Sequence, residues 1–256
     1  MLDHPDGSEL KRLTAPEPTR TPIGRAVSLL AVVSGWKADA ERWLLSVFTH
    51  CHADFEAVVV DDSGDTGIAA WLDSRAAERL RVVRLDPPLG FGAAANAAIE
   101  AAAGAVCVLF DTSVELTGDA IAPLVSALED PGVAVTGAFG LRSSDLKQFG
   151  EHPGPEVDAL EGYCVAFRRA DARAAGGFDP KFRFYRIADI DFSFRLRQHG
   201  GKALAVAGLP LRRHEHRVWE STPQSERARL SRRNFYRFLD RWRTREDMLV
   251  EAAHND

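Results

Sequence analysis

The sequence predicts an α/β fold: a mostly parallel central sheet flanked by helices, with a smaller, less regular C-terminal part. Three observations carry that expectation. Short continuous apolar runs recur through the first half of the chain, and such runs suit strands buried on both faces. Helix-forming segments separate them, in the alternation that right-handed βαβ crossovers produce. The first four runs each end in polar residues, where ligands of open α/β sheets bind.

The elements follow in order. Residues 27–33 form the first apolar run. Residues 39–49 carry Trp43, Leu44, Val47 and Phe48 at helical spacing. A second strand over 57–60 ends at Asp61-Asp62-Ser63-Gly64, and 67–77 reads as helix. A third strand spans 80–85. The alanine-rich segment 91–103 is strongly helix-forming. Residues 106–110 and 133–136 are further strands, with a helix over 119–128 between them. In the second half, 160–168 and 202–206 read as strands and 188–199 as a helix. Residues 226–243 form a basic helix with Leu230, Phe235, Phe238, Leu239 and Trp242 on its apolar side.

Composition excludes several classes. With 45% hydrophobic and 27% charged residues the chain is an ordinary globular one, and a net charge of -5 disfavours nucleic acid as partner. Cys51, Cys107 and Cys164 lie far apart with no CxxC pair, which argues against a thiolate zinc site and fits a reducing cytoplasm. The apolar runs are far shorter than the ~20 residues of a membrane span. Residues 1–24, polar and proline-containing, read as a flexible tail without a signal-peptide core, and 246–256 as a second tail.

Candidate chemistry sits at the strand ends. Asp61 and Asp62 can accept hydrogen bonds from a base or ribose, or serve as turn formers. The segment from Gly90 to Asn96 joins a strand to a helix through small residues; it suits a close anionic ligand or tight helix packing, and matches neither GxGxxG nor a P-loop. Asp111, with Ser113 and Glu115 after it, could hold Mg²⁺ or Mn²⁺ against a diphosphate, since hard cations take oxygen ligands. Asp189 and Asp191 open a helix, where the dipole favours them. Either could instead act as general base for a hydroxyl. His214 and His216 form an HxH pair able to contribute a metal ligand or phosphate contact. Eight arginines crowd the last helix and its end, a face that could meet anionic lipid headgroups or a diphosphate-linked acceptor.

Taken together and in this order, these segments resemble the family 2 glycosyltransferases of the Rossmann-like GT-A fold, over roughly residues 26–242. Val33-Ser34 resembles the opening segment that lines the base pocket. Val59-Val60-Asp61-Asp62-Ser63 is similar to the acidic nucleoside-contacting motif, and Gly90 through Asn96 to the loop near the nucleotide. Asp111-Thr112-Ser113 stands where the family has its DxD metal motif, with Ser113 in place of the second aspartate. Gly176-Gly177-Phe178-Asp179 resembles the acceptor-side segment. Ala188-Asp189-Ile190-Asp191 matches the ED-containing helix, with Ala188 in place of glutamate. His214 or His216 stands near a late metal-binding histidine. The bacterial rhamnosyltransferase-like members look most similar, and the QxxRW motif of processive synthases is absent.

The resemblance implies one GT-A catalytic domain over 25–245, with a nucleotide-binding half (25–137) and an acceptor-side half (138–245). It implies an inverting, single-addition transfer from a nucleotide-diphosphate sugar to a saccharide or lipid-linked acceptor. The setting it implies is bacterial cell-surface polysaccharide or glycolipid synthesis, in the cytoplasm or at the inner face of the plasma membrane. Asp189 would be the base, Asp111 and a histidine the metal ligands, and the carboxylates would share a single cleft. The substitutions at Ser113 and Ala188 leave a second expectation open: a binding module that kept the fold without the chemistry.

Overall fold

The computed structural model describes residues 27–76 and 78–250. The expected N-terminal tail over 1–24 lies outside these residues, as do 251–256. Four parallel strands, β1 (Val27–Val33), β2 (Phe55–Asp61), β3 (Leu80–Arg84) and β4 (Val106–Phe110), alternate with helices α1 (Lys37–His50), α2 (Thr66–Arg75) and α3 (Phe91–Ala101). Their spatial order is β3-β2-β1-β4. The direction of strand addition reverses between β1 and β4, which opens a crevice beyond their carboxyl ends.

Burial explains the apolar runs. Every residue of β2 and all but Val32 in β1 are buried, because a layer of side chains covers each face of the sheet. Leu29, Ala31 and Val33 point into one layer with Trp43 and Val47 of α1. Leu30, Val58 and Val60 point into the other, against Ala94, Ala95 and Ala98 of α3. Phe55 and Phe110 are fully buried in the first layer. Burying each is worth roughly 1.5–3 kcal/mol. Cys51, Cys107 and Cys164 are buried free thiols.

After β4 the chain runs through β5 (Val114–Leu116), α4 (Ile121–Ala127), β6 (Val133–Gly137), β7 (Gly140–Arg142), β8 (Gly150–His152), β9 (Glu156–Val157), β10 (Ala159–Leu160) and β11 (Cys164–Arg168). Next come α5 (Arg169–Ala174), α6 (Ala188–Arg197), β12 (Lys202–Ala205), β13 (Leu211–Arg213), α7 (Arg217–Ser221) and α8 (Gln224–Trp242). β11, β6, β12 and β9 extend the main sheet to eight strands, with β11 and β9 antiparallel to their neighbours. A three-stranded sheet β10-β7-β8 and the ribbon β13-β5 complete the fold. Among the described residues, no helix is long and apolar enough to cross a membrane.

Three expectations need correction. The strand expected over 160–168 is two strands in different sheets, because Glu161-Gly162-Tyr163 forms a turn whose Gly162 N–H bonds a side chain instead of a ladder. The basic helix buries Asn234, Phe238 and Trp242, while Leu230, Phe235 and Leu239 stay half-exposed. The expected C-terminal tail is ordered at its start. Residues Glu246–Met248 form a 3-10 turn, and Met248, Leu249 and Val250 are buried beside Phe194, Phe238 and Trp242.

Candidate active site

A cavity of about 190 Å³ opens where the strand order reverses. Ser34 and Trp36 reach it from the end of β1, Asp62 from the end of β2, and Gly90 from the turn before α3. Trp36 sits at φ 53, a left-handed conformation rare for a bulky residue and often found at functional sites. Val33 is buried, and its carbonyl accepts the Asp62 N–H at 2.9 Å, so it shapes the strand end from beneath.

Asp62 is buried and faces the cavity. Its carboxylate accepts the Leu89 and Gly90 N–H groups at 2.6 and 2.9 Å. Burial pushes the carboxyl above its ordinary range, and the two amides only partly offset that. Gly90 is dictated by sterics: its φ is +90°, and a Cβ there would stand 2.8 Å from the Arg183 backbone. Asp61 takes a different role. It is buried, accepts from Ser63 N and Oγ, and meets Arg84 at 3.5 Å, away from the cavity. Asn96 is also remote; its amide clamps Phe178 with two 2.8 Å bonds, one to the carbonyl and one from the N–H.

Asp111 stands on the cavity floor. Its Oδ1 accepts the Ser113 N–H at 2.8 Å, and its Oδ2 lies 3.1 Å from His216 Nε2. Burial opposes its ionisation, but the His216 contact prevails and holds it below the usual carboxylate range. His216 is positioned on three sides. Its ring stacks on Tyr185 at 4.2 Å and meets the edge of Tyr163 at 6.0 Å. Its Nδ1 accepts the Trp219 N–H at 3.3 Å as the N-cap of α7, which leaves Nε2–H to donate to Asp111. Burial lowers the imidazole, yet the Asp111 carboxylate outweighs it and raises the pKa above the ordinary value.

The HxH pair therefore divides. His214 ends outside the cavity with Nε2 2.7 Å from Glu115 Oε2, on the β13–β5 ribbon. That pairing removes His214 and Glu115 from the metal-ligand candidates. Among the described residues no group of three or more His, Cys, Asp or Glu side chains is arranged to hold a metal. Asp111 and His216 do meet, however, and the Ser113 Oγ beside them is buried with no hydrogen-bond partner. Mg²⁺ and Mn²⁺ sites completed by substrate phosphates and water need no more than one or two protein ligands, so the Asp111 carboxylate fits such an ion, whereas His216, with its Nδ1 lone pair taken by the Trp219 N–H and its Nε2 protonated, has none to offer it.

Asp189 and Asp191 part company as well. Asp189 lines a second cavity of about 260 Å³ together with Glu161, Arg186, Phe149 and Phe235. Its Oδ2 accepts the Gly162 N–H at 2.8 Å and its Oδ1 the Ile190 N–H at 2.9 Å. Burial raises its pKa, with the Gly162 amide and Arg186 opposing. Asp191 points inward and is 0% exposed. It accepts from Arg195, Arg241 and Trp242 Nε1 at 2.7–3.0 Å, so a reactive role for it is replaced by a structural one.

The carboxylates thus do not share one cleft as expected. Two cavities stand back to back, because the consecutive residues Tyr185 and Arg186 line one each. The Glu161–Tyr163 turn joins them from the other side: Gly162 N–H bonds Asp189, and the Tyr163 carbonyl accepts the Asp111 N–H at 3.1 Å. α8 fixes this wall, since Asn234 Nδ2 donates to the Phe184 and Arg186 carbonyls at 2.8 and 2.9 Å. Sequence reasoning assigned no role to Trp36, Asp39, Arg183, Tyr185 or Arg217, all of which line the first cavity. Arg217 lies 3.0 Å from buried Asp39, at the cavity wall.

Comparisons with known proteins agree with this architecture. The chain is 28% identical over 243 residues to MT1568 of Mycobacterium tuberculosis (strain CDC 1551 / Oshkosh), covering 84% of this chain and 72% of that protein. It is 26% identical over 237 residues to y4gI of Sinorhizobium fredii, covering 80% of this chain and 26% of the relative. Among solved structures, GalNAc-T7 with UDP, GalNAc and Mn²⁺ superposes with a TM-score of 0.71 at 17% identity, covering 89% of this chain and 50% of that one. The mannosyltransferase PcManGT from Pyrobaculum calidifontis, in complex with GDP-Man and Mn²⁺, gives 0.66 at 19% identity, covering 96% and 75%. S. aureus TarS 1-349 gives 0.58 at 15%, covering 86% and 73%. These likenesses show the GT-A fold. The profile of Glycosyl transferase family 2 matches residues 37–192, more than half of the sequence, and the chain belongs to that family.

Proposed function

We propose that the chain transfers a sugar, a hexose or deoxyhexose, from a nucleotide-diphosphate donor to an acceptor hydroxyl with inversion. One observation carries this reading: a cavity at the sheet's switch point holding Asp62 and the Asp111–His216 pair backs onto a second cavity holding Asp189. The donor occupies the first. Trp36 and Asp62 meet the nucleoside, and Asp111 with His216 lies at the diphosphate. A divalent ion held by Asp111 would neutralise charge on the departing diphosphate, with His216 orienting that carboxylate through Nε2. Asp189 faces the acceptor and removes its hydroxyl proton as the oxygen attacks the anomeric carbon from the side opposite the leaving group. Holding the two substrates across the Tyr185–Arg186 wall supplies orientation.

The acceptor of this reading is a saccharide or lipid-linked saccharide, used in building cell-surface polysaccharide or glycolipid. Phe149 and Phe235 give the second cavity apolar faces for a sugar ring. On α8, Arg241 turns inward to Asp179 and Asp191, and Arg229 pairs with Glu226. Arg232, Arg233 and Arg243 remain exposed and support peripheral contact with an anionic bilayer.

A thermal-shift screen of nucleoside-diphosphate sugars with and without Mn²⁺, followed by assay of donor turnover, tests the reading. Ligands that bind only the folded state raise its melting temperature by mass action. The cognate donor is expected to do so, and Mn²⁺ to add to it in wild type but not in Asp111→Ala. A complete absence of shifts and turnover would refute the assignment; shifts without turnover would favour a binding module. Asp62→Ala is expected to weaken donor binding by about 10–100-fold in titration calorimetry, the value of charge-assisted bonds worth ~1.5–3 kcal/mol. Asp61→Ala, remote from the cavity, should change it far less.

A further inference from the structure

Asp189 shares its cavity with a carboxylate from a different element. Glu161 lies in the turn between β10 and β11, and it and Asp189 both line the second cavity. The two are coupled through the backbone, since the amide donating to Asp189 Oδ2 belongs to Gly162, the next residue after Glu161. The Glu161 side chain is 15% exposed, and its Oε2 lies 3.3 Å from Arg213 Nη1. Arg213 is itself held over the Phe139 and Tyr163 rings at 4.4 and 5.1 Å. Glu161 is therefore a partly desolvated acid paired with Arg213 and sharing its cavity with Asp189.

Other charged groups surround the pair, and Arg186 partly offsets its repulsion. Arg186, just ahead of α6, faces both carboxylates, and among the described residues its guanidinium has no ion pair; it lies 5.4 Å from the Trp219 ring. Lys147 and Glu151 also line the cavity with opposite signs, from the loop before β8 and from β8 itself, and Glu151 adds to the repulsion on Glu161. Tyr163 and Tyr185 stand on the wall towards Asp111, both neutral because burial raises their hydroxyl pKa. α8 contributes only Phe235 to this cavity. Burial first, and then the charge of Asp189, raises Glu161 above the ordinary carboxylate range. Such repulsion is mutual: two acids in one cavity lose their protons in steps that belong to the pair.

This inference rests on Asp189 as the base. We propose that Glu161 and Asp189 work as one carboxylate pair facing the acceptor: Asp189 takes the hydroxyl proton, and Glu161, anchored by Arg213, keeps Asp189 basic through like-charge repulsion. In the step itself the acceptor O–H bond breaks towards Asp189 and the oxygen bonds to the anomeric carbon. The bond from that carbon to the diphosphate breaks, its electron pair leaving with the diphosphate. Glu161 makes and breaks no bond; it is a positioning residue.

The test is a carboxyl NMR titration of the ligand-free full chain carrying ¹³C-labelled aspartate, with Asp189 assigned by its loss in Asp189→Asn. It requires neither donor nor acceptor. In wild type, Asp189 is expected to titrate in two steps. In Glu161→Gln it should collapse to one step at lower pH, and in Arg213→Met the upper step should move to higher pH. The acid limb of donor turnover should shift to lower pH in Glu161→Gln, which a purely structural role would not produce, and Glu161→Asp should restore it in part. Superimposable Asp189 curves in wild type and folded Glu161→Gln overturn the pair. Should Glu161→Gln not fold, an unchanged curve in Arg213→Met overturns it instead. Coupled titration without any transfer leaves the pair intact and removes the transferase reading; transfer with uncoupled titration removes the pair alone.

Discussion

Asp189→Asn is expected to lower kcat for glycosyl transfer by ~10²–10⁴-fold while leaving donor affinity unchanged, because loss of a positioned general base costs about that much. The separation of effects follows from geometry. Asp189 lines the second cavity and not the first, so the donor does not depend on it. Its amide bonds, from Gly162 and Ile190, involve acceptor oxygens, and asparagine keeps one of them, which favours an intact fold. The pH dependence has a definite sign. Burial raises the Asp189 pKa, so activity is lost as pH falls through a value above the usual ~3.9 of aspartate. The same shift means that the folded state binds more protons than the unfolded one between the two pKa values. Stability at this site therefore declines as pH rises through that window, the reverse of an ion-paired carboxylate. Single-turnover rates and titration calorimetry on a folded Asp189→Asn variant decide the matter, and wild-type turnover would exclude Asp189 as the base.

What the sequence revealed and what it concealed have physical reasons. β1 and β2 were legible because both faces of each are covered, and a strand with no solvent face is apolar except where buried polar groups pair, as Ser28 and Glu56 do at 2.8 Å. The polar residues after them were legible as a ligand rim for the same topological reason. The short pieces β7 to β10, two or three residues each, carry too few side chains for any period to show. The turn at Glu161-Gly162-Tyr163 looked like strand because its neighbours Leu160 and Cys164 are buried on either side. His214 and His216 are two residues apart, a spacing that in a continuous strand would aim both at one ligand. Here β13 ends before His214 and α7 begins after His216, so the two rings part. Trp36, Arg183 and Arg217 reach the first cavity from three separate segments, and only the tertiary fold brings them together.

Asp191→Ala is the second large effect, and it is expected in stability rather than chemistry. Asp189 and Asp191 look alike in the sequence, both in the first turn of α6. Residues two apart on a helix lie ~200° from each other, so only one of them could face the cavity. The inward one, 0% exposed, holds Arg195, Arg241 and the Trp242 indole at once. Alanine would leave Arg195 and the indole N–H without that carboxylate in a mostly dry setting, and breaking a buried pair in this way costs about 3–5 kcal/mol. Half-exposed Arg241 can recover some water, and it keeps Asp179 at 3.0 Å, which favours the lower end. For a domain of this size the loss corresponds to roughly 6–12 °C in Tm. Because α8 is docked through these contacts, and its Asn234 holds the Phe184 and Arg186 carbonyls, the wall between the two cavities should loosen with it. Asp191→Asn, which keeps an oxygen for the indole, should lose less. Thermal unfolding followed by circular dichroism separates this account from a catalytic one: abolished transfer with an unchanged Tm would return Asp191 to the chemistry, whereas a lowered Tm with residual transfer assigns it to the contact between α6 and α8.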